Sequence, residues 1–407
     1  MLQSEEAARR LGVKLPTLYA YVSRGLLPSH RSPDGRRSLF EAEEVEALAR
    51  RSRGGRQVET RMATVTTAVT QLGDRGPAYR GRLAVDLVAG PAPAGDGGGR
   101  FEAAADLLWD APPGGVGAWD PLPLRVPGRL LPRDRIRWAV VMAGAADRLR
   151  GDLRPEAVIR ATRRLISSLV LVLGEPGGGG RPGPMGRPGS LAGRLAAALG
   201  AGPGPVAGVV DTALVLLADH ELATSTVGVR VAASTRADLY DCLLAGLGVL
   251  GGPLHGGASE LVHGLLLDAG GSGPEAALGR TLRWRGIAPG FGHGLYGQGD
   301  PRAEVLLGAV ESIGDRARRK VVQGVVEVAR DQGFPAPNVD MALAALTYTT
   351  GMAADAGQTI FTLARTAGWV AHLLEELDEA PLRFRTRAVY SAQPAGSNDQ
   401  DASSVTS

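Results

Sequence analysis

The chain has 407 residues, 44% of them hydrophobic and 21% charged, so it can bury a core in two or three domains, and a wholly disordered or collagen-like chain is excluded. Only 4% of residues are aromatic, which favours closely packed helices of Leu, Val and Ala over sheets. The formal charge is +3, and the single cysteine, Cys242, excludes an internal disulfide framework and a multi-cysteine metal site. We expect an all-α, cytoplasmic protein with no membrane segment and no bound metal.

The first 56 residues differ in charge from the rest of the chain. Residues 1–56 carry 11 Lys or Arg against 7 Asp or Glu, so the basic surplus lies in this segment. The pattern predicts a short helix over residues 4–11, a turn, and a second helix over residues 16–25. Residues 31–40 place a Pro-Asp-Gly turn between short flanks, which predicts a β-hairpin. The segment is therefore a candidate winged helix-turn-helix.

Helical periodicity dominates the remainder of the chain. Residues 165–173 and 206–217 are apolar on nearly every face, which predicts two buried helices. Longer helical patterns cover residues 303–332 and 341–377. The Gly- and Pro-rich run 174–189 cannot hold a helix or a strand, so it is predicted to be a surface loop.

Three of the six histidines, His220, His255 and His293, lie in short polar or glycine-rich stretches and not on helical stripes. Flanking glycines let backbone amides and a ligand approach an imidazole ring closely. A structural role is open for any one of them, but the three together favour a site. None of their spacings places two metal ligands on one helix face. Residues 246–251 match the dinucleotide-binding glycine pattern, but no strand precedes them, so we expect a helix there.

Several stretches, read in chain order, resemble the citrate synthase family. That family has a loop Gly-Pro-x-His-Gly-Gly-Ala, a second loop Gly-Phe/Tyr-Gly-His followed by Asp-Pro-Arg, and the motif Pro-Asn-Val-Asp. The matching segments here, three of which contain arginine, are Gly252–Ala258, Gly290–His293, Asp300–Arg302, Phe334–Asp340, Ala364–His372 and Phe384–Tyr390. The resemblance covers about residues 60–392.

The resemblance also implies a division into domains. After the basic module at residues 1–56, a large helical domain would cover residues 57–256 and be completed by residues 351–393. A small helical domain would cover residues 257–350. Residues 394–407 are polar and without periodicity, so we expect a disordered tail.

The chemistry of such an enzyme sets clear demands on its side chains. Condensing an acyl thioester with an α-keto acid requires a base to remove a weakly acidic methyl proton, and an aspartate suffices only if the enol is stabilised at once. The resemblance implies that Asp340 is this base. It implies that His255 donates to the thioester oxygen and that His293 polarises or protonates the keto carbonyl.

A dicarboxylate such as oxaloacetate also requires fixed cations, and guanidinium groups bind carboxylates through paired hydrogen bonds. Arg302 and Arg365 match the family's carboxylate-binding arginines. Arg385 matches the arginine that reaches in from the other subunit, which implies a homodimer. His220 matches a histidine that helps to hold the keto acid.

The resemblance makes a coenzyme A thioester the co-substrate, with no permanently bound cofactor. The segment that packs against the adenine in the family corresponds to Ile287, Ala288, Gly290, Phe291 and Gly292. Gly294 and Gly297 stand where many relatives have Arg or Lys, although Arg283 and Arg285 could supply positive charge. We therefore expect a raised coenzyme KM and a retained reaction.

The N-terminal module resembles winged helix-turn-helix regulators of the MerR type, whose second helix enters the major groove. Its candidate DNA contacts are Lys14, Thr17, Tyr19, Tyr21, Arg24, Arg31, Arg36 and Arg37. The alternative is a helical cap that packs on the enzyme.

The sequence thus predicts a citrate synthase-like enzyme that joins acetyl-CoA and oxaloacetate. One alternative is a 2-methylcitrate synthase that uses propionyl-CoA. The other is a DNA-binding regulator whose synthase-like body senses a metabolite without turnover.

Overall fold

A computed structural model describes residues 2–11, 15, 18, 22, 27–31, 38–42, 44–45, 65–90, 99–111, 117–127, 130–174, 190–201, 204–252 and 255–385. The chain divides into two compact units, Met1–Thr66 and Thr67–Ser407. The predicted tail at 394–407 and most of the predicted loop at 174–189 lie outside the described residues. Within the described part of the chain, no helix is long and apolar enough to cross a membrane.

The first unit contains strand β1 (Leu2–Gln3), helix α1 (Ser4–Leu11) and strands β2 (His30–Arg31) and β3 (Ser38–Phe40). The predicted first helix and the two strands of the predicted hairpin are confirmed, since β2 pairs with β3 antiparallel. Strand β1, which also pairs with β3, was not predicted because two residues carry no readable alternation. The side chains of all eight candidate DNA contacts lie outside the described residues.

The second unit begins with a three-stranded antiparallel sheet that the composition did not predict. Its strands are β4 (Thr70–Gly73), β5 (Gly76–Tyr79) and β6 (Arg82–Leu83), in that order. They are too short for a period-two pattern to stand out from the surrounding sequence. Tyr79 is fully buried and its hydroxyl donates to the carbonyl of Val215 at 2.7 Å, which fastens the sheet to the helical core.

Helices make up most of the rest, which confirms the all-α prediction. They are α2 (Ala84–Ala89), α3 (Arg100–Trp109), α4 (Pro132–Ala146), α5 (Pro155–Leu173), α6 (Leu191–Ala198), α7 (Val206–Leu217), α8 (Thr224–Ser234), α9 (Leu239–Leu250), α10 (Ala258–Ser272), α11 (Pro274–Arg285), α12 (Pro301–Val310), α13 (Arg316–Asp331), α14 (Val339–Thr350) and α15 (Ala356–Leu377).

Two of the predicted buried segments are confirmed. Residues 206–217 coincide with α7, and residues 165–173 form the buried second half of α5. The glycine-rich run at 246–251 lies mostly on α9, as expected for a segment that is not a dinucleotide loop.

The two long helical patterns are each broken into two helices, α12 with α13 and α14 with α15. The breaks are set by glycines: Gly314 and Gly351 adopt left-handed backbone conformations, with φ of +71° and +76°. α12 begins directly after the loop that carries His293, and Asp340 lies in the first turn of α14.

Candidate active site

Two of the predicted histidines lie together. His220 is in the turn between α7 and α8, and His293 is in the loop between α11 and α12, with ring centroids 5.5 Å apart. Tyr296 completes the cluster, because its hydroxyl is 2.8 Å from His220 Nε2 and its ring stacks on His293 at 4.7 Å. The aromatic stack fixes the orientation of both imidazoles.

The protonation of His293 follows from its contacts. The backbone N–H of Leu295 donates to His293 Nδ1 at 3.1 Å, so in the neutral ring the proton is on Nε2. Arg302 Nη2 lies 3.5 Å from that Nε2. Two N–H groups cannot hydrogen-bond to each other, so together they offer a pair of donors suited to one oxygen acceptor.

Arg302 is held in the first turn of α12, where it is only 2% exposed. The N-cap residue Asp300 accepts hydrogen bonds from Arg302 Nε and Nη2, each at 2.9 Å. The same carboxylate accepts from the backbone N–H of Val339 at 3.1 Å. Asp300 therefore fixes the guanidinium and the start of α14 relative to each other.

Asp340 lies in the first turn of α14. Asn338 caps this helix, its side-chain oxygen accepting from the Asp340 backbone N–H at 3.0 Å. Burial raises the pKa of Asp340 to about 6, and the charge of Asp300 acts in the same direction, whereas Arg302 opposes both. A carboxyl group with this pKa is well matched to proton abstraction near neutral pH.

Arg365 is a second buried guanidinium, 1% exposed, on the inner face of α15. Its Nε donates to the carbonyl of Leu217 at 3.1 Å, and it lies over the ring of Phe361. Its Nη1 has no hydrogen-bond partner among the described residues. An unpaired buried cationic donor is costly, so it suits an anionic ligand.

His255 lies in the turn between α9 and α10. Its Nε2 is 2.8 Å from the hydroxyl of the buried residue Ser225 on α8. Burial, and then the charge of Arg365, lower the pKa of His255. Burial and neighbouring positive charge also lower the pKa of His220 and of His293, so all three imidazoles are uncharged donors at neutral pH.

The predicted coenzyme segment is fastened to the segment that leads to Asp340. Gly292 N–H donates to the carbonyl of Ala336 at 2.8 Å, and Asn338 N–H donates to the carbonyl of Gly290 at 2.9 Å. Phe291 forms an isolated bridge with Pro337 between these bonds. Ile287, at the start of the segment, is 64% exposed, and Ala288 is partly buried.

The structure thus places His220 against His293, and His293 Nε2 near Arg302 Nη2. The charge of Arg302 also acts on Asp340 and on Arg365. Arg385 is exposed at the end of the described chain. No cluster of three or more metal-ligating side chains occurs among the described residues.

Residues 123–387 match the family described as "Citrate synthase, C-terminal domain". The chain belongs to the citrate synthase family. Residues 1–53 match a helix-turn-helix domain family.

Named citrate synthase relatives match parts of the chain. It is 32% identical over 269 residues to citrate synthase 2 of Bacillus subtilis, covering 64% of this chain and 72% of that protein. It is 36% identical over 193 residues to the citrate synthase of Haloferax volcanii, and 33% identical over 177 residues to 2-methylcitrate synthase 1 of Corynebacterium glutamicum. These matches cover 45% and 42% of this chain and 50% and 46% of those proteins, so the chain spans about half the length of these two relatives.

Solved citrate synthases share the fold. The Thermotoga maritima structure covers 86% of this chain and 98% of its own, with a TM-score of 0.65 and 21% identity. The Thermoplasma acidophilum enzyme, in a ternary complex with carboxymethyl coenzyme A and oxaloacetate, covers 82% of this chain and 95% of its own, with a TM-score of 0.60 and 21% identity.

The sequence did not identify three residues of the site: Ser225, Tyr296 and Asp300. Asp300 was quoted in a motif, but its role in holding Arg302 was not predicted. Tyr296 and Asp300 lie inside stretches that were singled out for their histidine and arginine, but a lone hydroxyl or carboxylate carries no spacing of its own. Ser225 lies five residues after His220 in a Thr-Ser-Thr stretch. Only the fold shows that it meets His255.

Proposed function

We propose that the second unit condenses acetyl-CoA with oxaloacetate to give citrate and free coenzyme A. The observation that carries the proposal is the pair of donors formed by His293 Nε2 and Arg302 Nη2, beside a buried carboxyl group whose pKa is raised to about 6. A polarised carbonyl beside a carboxylate base is the arrangement that carbon–carbon condensation through an enol requires.

The proposed keto-acid site uses two buried guanidiniums. Arg365 offers an unpaired Nη1 to one carboxylate, and Arg302, held by Asp300, offers its remaining donors to the other. His220, aligned by Tyr296, holds the keto acid, and Arg385 of a second subunit completes the site. This assignment requires a homodimer.

In the proposed reaction the acetyl C–H bond breaks and its proton passes to the Asp340 carboxylate. The Ser225 hydroxyl can donate to His255 Nε2, which leaves the His255 proton on Nδ1 for the thioester oxygen of the enol. The enol carbon then bonds to the keto carbon, and His293 Nε2 delivers a proton to the keto oxygen. Water cleaves the resulting thioester: its hydroxyl joins the acyl carbon and its proton goes to the departing thiolate of coenzyme A. The proton taken up by Asp340 is returned to His293, which restores both groups.

The coenzyme is proposed to lie along residues 287–292, against backbone that is tied to residues 336–338. Gly294 and Gly297 supply no cation. Arg283 and Arg285, both exposed and flanking Trp284, which is 81% exposed, are proposed to contact the coenzyme phosphates.

The proposed large and small domains meet at two breaks in the helices. One is the turn between His255 and α10, and the other is Gly351, which ends α14. Closure about these breaks would exclude water until the thioester intermediate forms. A cytoplasmic location is proposed because the single cysteine, Cys242, is buried and forms no disulfide, which fits a reducing compartment.

Two further functions have specific support. The similarity to 2-methylcitrate synthase 1 favours propionyl-CoA as an alternative donor, which differs from acetyl-CoA by one methylene. The helix-turn-helix match favours DNA binding by residues 1–53, with or without turnover by the second unit.

The test is release of free thiol from acetyl-CoA and from propionyl-CoA by the purified full chain, with and without oxaloacetate. We expect oxaloacetate-dependent release, and the ratio of the two kcat/KM values identifies the donor. Saturating substrates that release no thiol above the background would contradict an enzymatic function and favour the regulator.

A further inference from the structure

A chain of buried charged groups runs away from the proposed substrate site. Asp219, next to His220, is 3.2 Å from His372 Nε2, and His372 Nδ1 is 3.0 Å from Arg230 Nη1. Because a guanidinium can only donate, His372 Nδ1 accepts from Arg230 and Nε2 donates to Asp219. All three side chains are fully buried.

The chain continues to the end of α15. Arg230 Nε donates to Glu376 at 2.9 Å, and the guanidinium of Arg383 donates to both oxygens of the same carboxylate at 2.7 and 2.6 Å. Glu375 also accepts from Arg230, and its other oxygen accepts from the backbone N–H of Ala68 at 2.7 Å. Glu376, which is 0% exposed, thus joins two arginines from different elements.

Close approach of the backbone is part of this arrangement. Gly368 on α15 donates its backbone N–H to the carbonyl of Ala218 at 3.0 Å. A Cβ on Gly368 would lie 2.5 Å from that carbonyl oxygen, so only glycine lets the turn bearing Asp219 and His220 contact α15.

The bidentate ion pair between Arg383 and Glu376 restrains residues 381–385. This segment follows the end of α15 and consists mainly of turns. Leu382 adopts a φ of +58°, which is unfavourable for leucine, and its N–H donates to the carbonyl of Ser234. That bond and the Arg383 fork hold the segment, and Arg385, two residues on, is exposed.

We propose that Arg230, Glu376 and Arg383 are positioning residues that hold residues 381–385 so that Arg385 reaches oxaloacetate bound in the partner subunit. Burying ions in this way is expensive, and an apolar core of the same volume is often at least as stable. The network therefore supplies a fixed geometry that packing alone does not. The network joins the turn that bears His220 to the segment that is proposed to reach the site of the partner subunit.

This inference rests on the proposed function, and a double-mutant cycle separates the two. Wild type, Arg383→Ala, Arg385→Ala and the double variant are compared by their KM for oxaloacetate and their kcat. Arg385→Ala is expected to raise the KM by about 10- to 100-fold, as for a lost charge-assisted bond. Arg383→Ala is expected to raise it by about 5- to 30-fold alone and to add nothing in the Arg385→Ala background.

Two variants complete the experiment. Arg383→Lys, which keeps one charged bond to Glu376, is expected to recover part of the loss. Arg154→Ala is the matched control, because Arg154 forms the same kind of two-bond pair with a carboxylate, that of Asp152, but does not touch the network or residues 381–385. It should leave the KM for oxaloacetate unchanged.

Multiplicative effects on KM in the double variant, or a rise in KM in Arg154→Ala equal to that in Arg383→Ala, would overturn the positioning role even with an active enzyme. A wild-type protein without turnover would instead contradict the proposed function. In that case the same cycle is measured by calorimetric binding of oxaloacetate, and independent effects of the two substitutions would again overturn the inference.

Discussion

The keto-acid end of the proposed site and its coenzyme end are built differently. At the keto-acid end, Arg302 and Arg365 are at most 2% exposed, and Tyr296 and Asp300 fix the groups beside them. At the proposed coenzyme end, residues 287–292 include two glycines and are held by backbone hydrogen bonds, and Trp284 and Leu295 are 81% and 63% exposed. Buried, hydrogen-bonded polar groups thus lie where the proposed reaction moves charge, whereas exposed cations lie where the coenzyme is proposed to bind.

The largest effect should come from the keto-acid end. Asp340→Asn removes the only group proposed to accept the acetyl proton, so we expect kcat to fall by about 10²- to 10⁴-fold. The asparagine has nearly the same shape, so oxaloacetate affinity should be nearly unchanged. Thiol release and calorimetry measure the two quantities, and a variant with wild-type kcat would exclude Asp340 as the base.

The pH profile tests the electrostatics of the same end. Asp340 accepts a proton only when ionised, and its pKa is raised to about 6, so kcat/KM should fall as the pH drops below this value. Because the charge of Asp300 helps to raise that pKa, Asp300→Asn should move the acid limb to lower pH. Asp331→Asn, an exposed carboxylate on α13, is the control and should not move it. An upward shift in Asp300→Asn would contradict this account.

The smallest effect is expected at the coenzyme end. A Cβ at Gly294 or at Gly297 would meet no atom within 4 Å, so both positions can accept a side chain. Gly294→Arg with Gly297→Lys should lower the KM for the acyl-CoA by about 3- to 10-fold, as expected for one or two exposed phosphate contacts. The neutral pair Gly294→Gln with Gly297→Gln should leave that KM unchanged. A lower KM in the neutral pair would show that charge is not the missing element.

Some residues of the proposed site could be identified from the sequence, and others could not. His293 could be singled out because it lies in a glycine-rich stretch, whereas Arg302 was proposed because its motif resembles one of the citrate synthase family. The structure places these two side chains in contact. Ser225 and Tyr296 were not identifiable, since a single hydroxyl has no spacing to analyse and its partner is distant in the chain.

Some elements of secondary structure were also predictable from the sequence, whereas others were not. Helix α7 was predicted over residues 206–217 because nearly every face is apolar, and buried helices have that composition. The sheet at residues 70–83 was missed because its strands have two to four residues, too few for alternation to appear. The breaks at Gly314 and Gly351 were missed because the apolar periodicity continues through them.

The proposed function depends most on a keto carbonyl that is polarised between His293 Nε2 and Arg302. The most direct measurement is the ¹³C NMR spectrum of oxaloacetate labelled at its keto carbon, bound to the full chain. We predict a downfield shift of the bound carbonyl relative to free oxaloacetate, and its loss in His293→Ala at saturating ligand. Bound oxaloacetate with an unshifted carbonyl, or with the same shift in His293→Ala, would contradict the account.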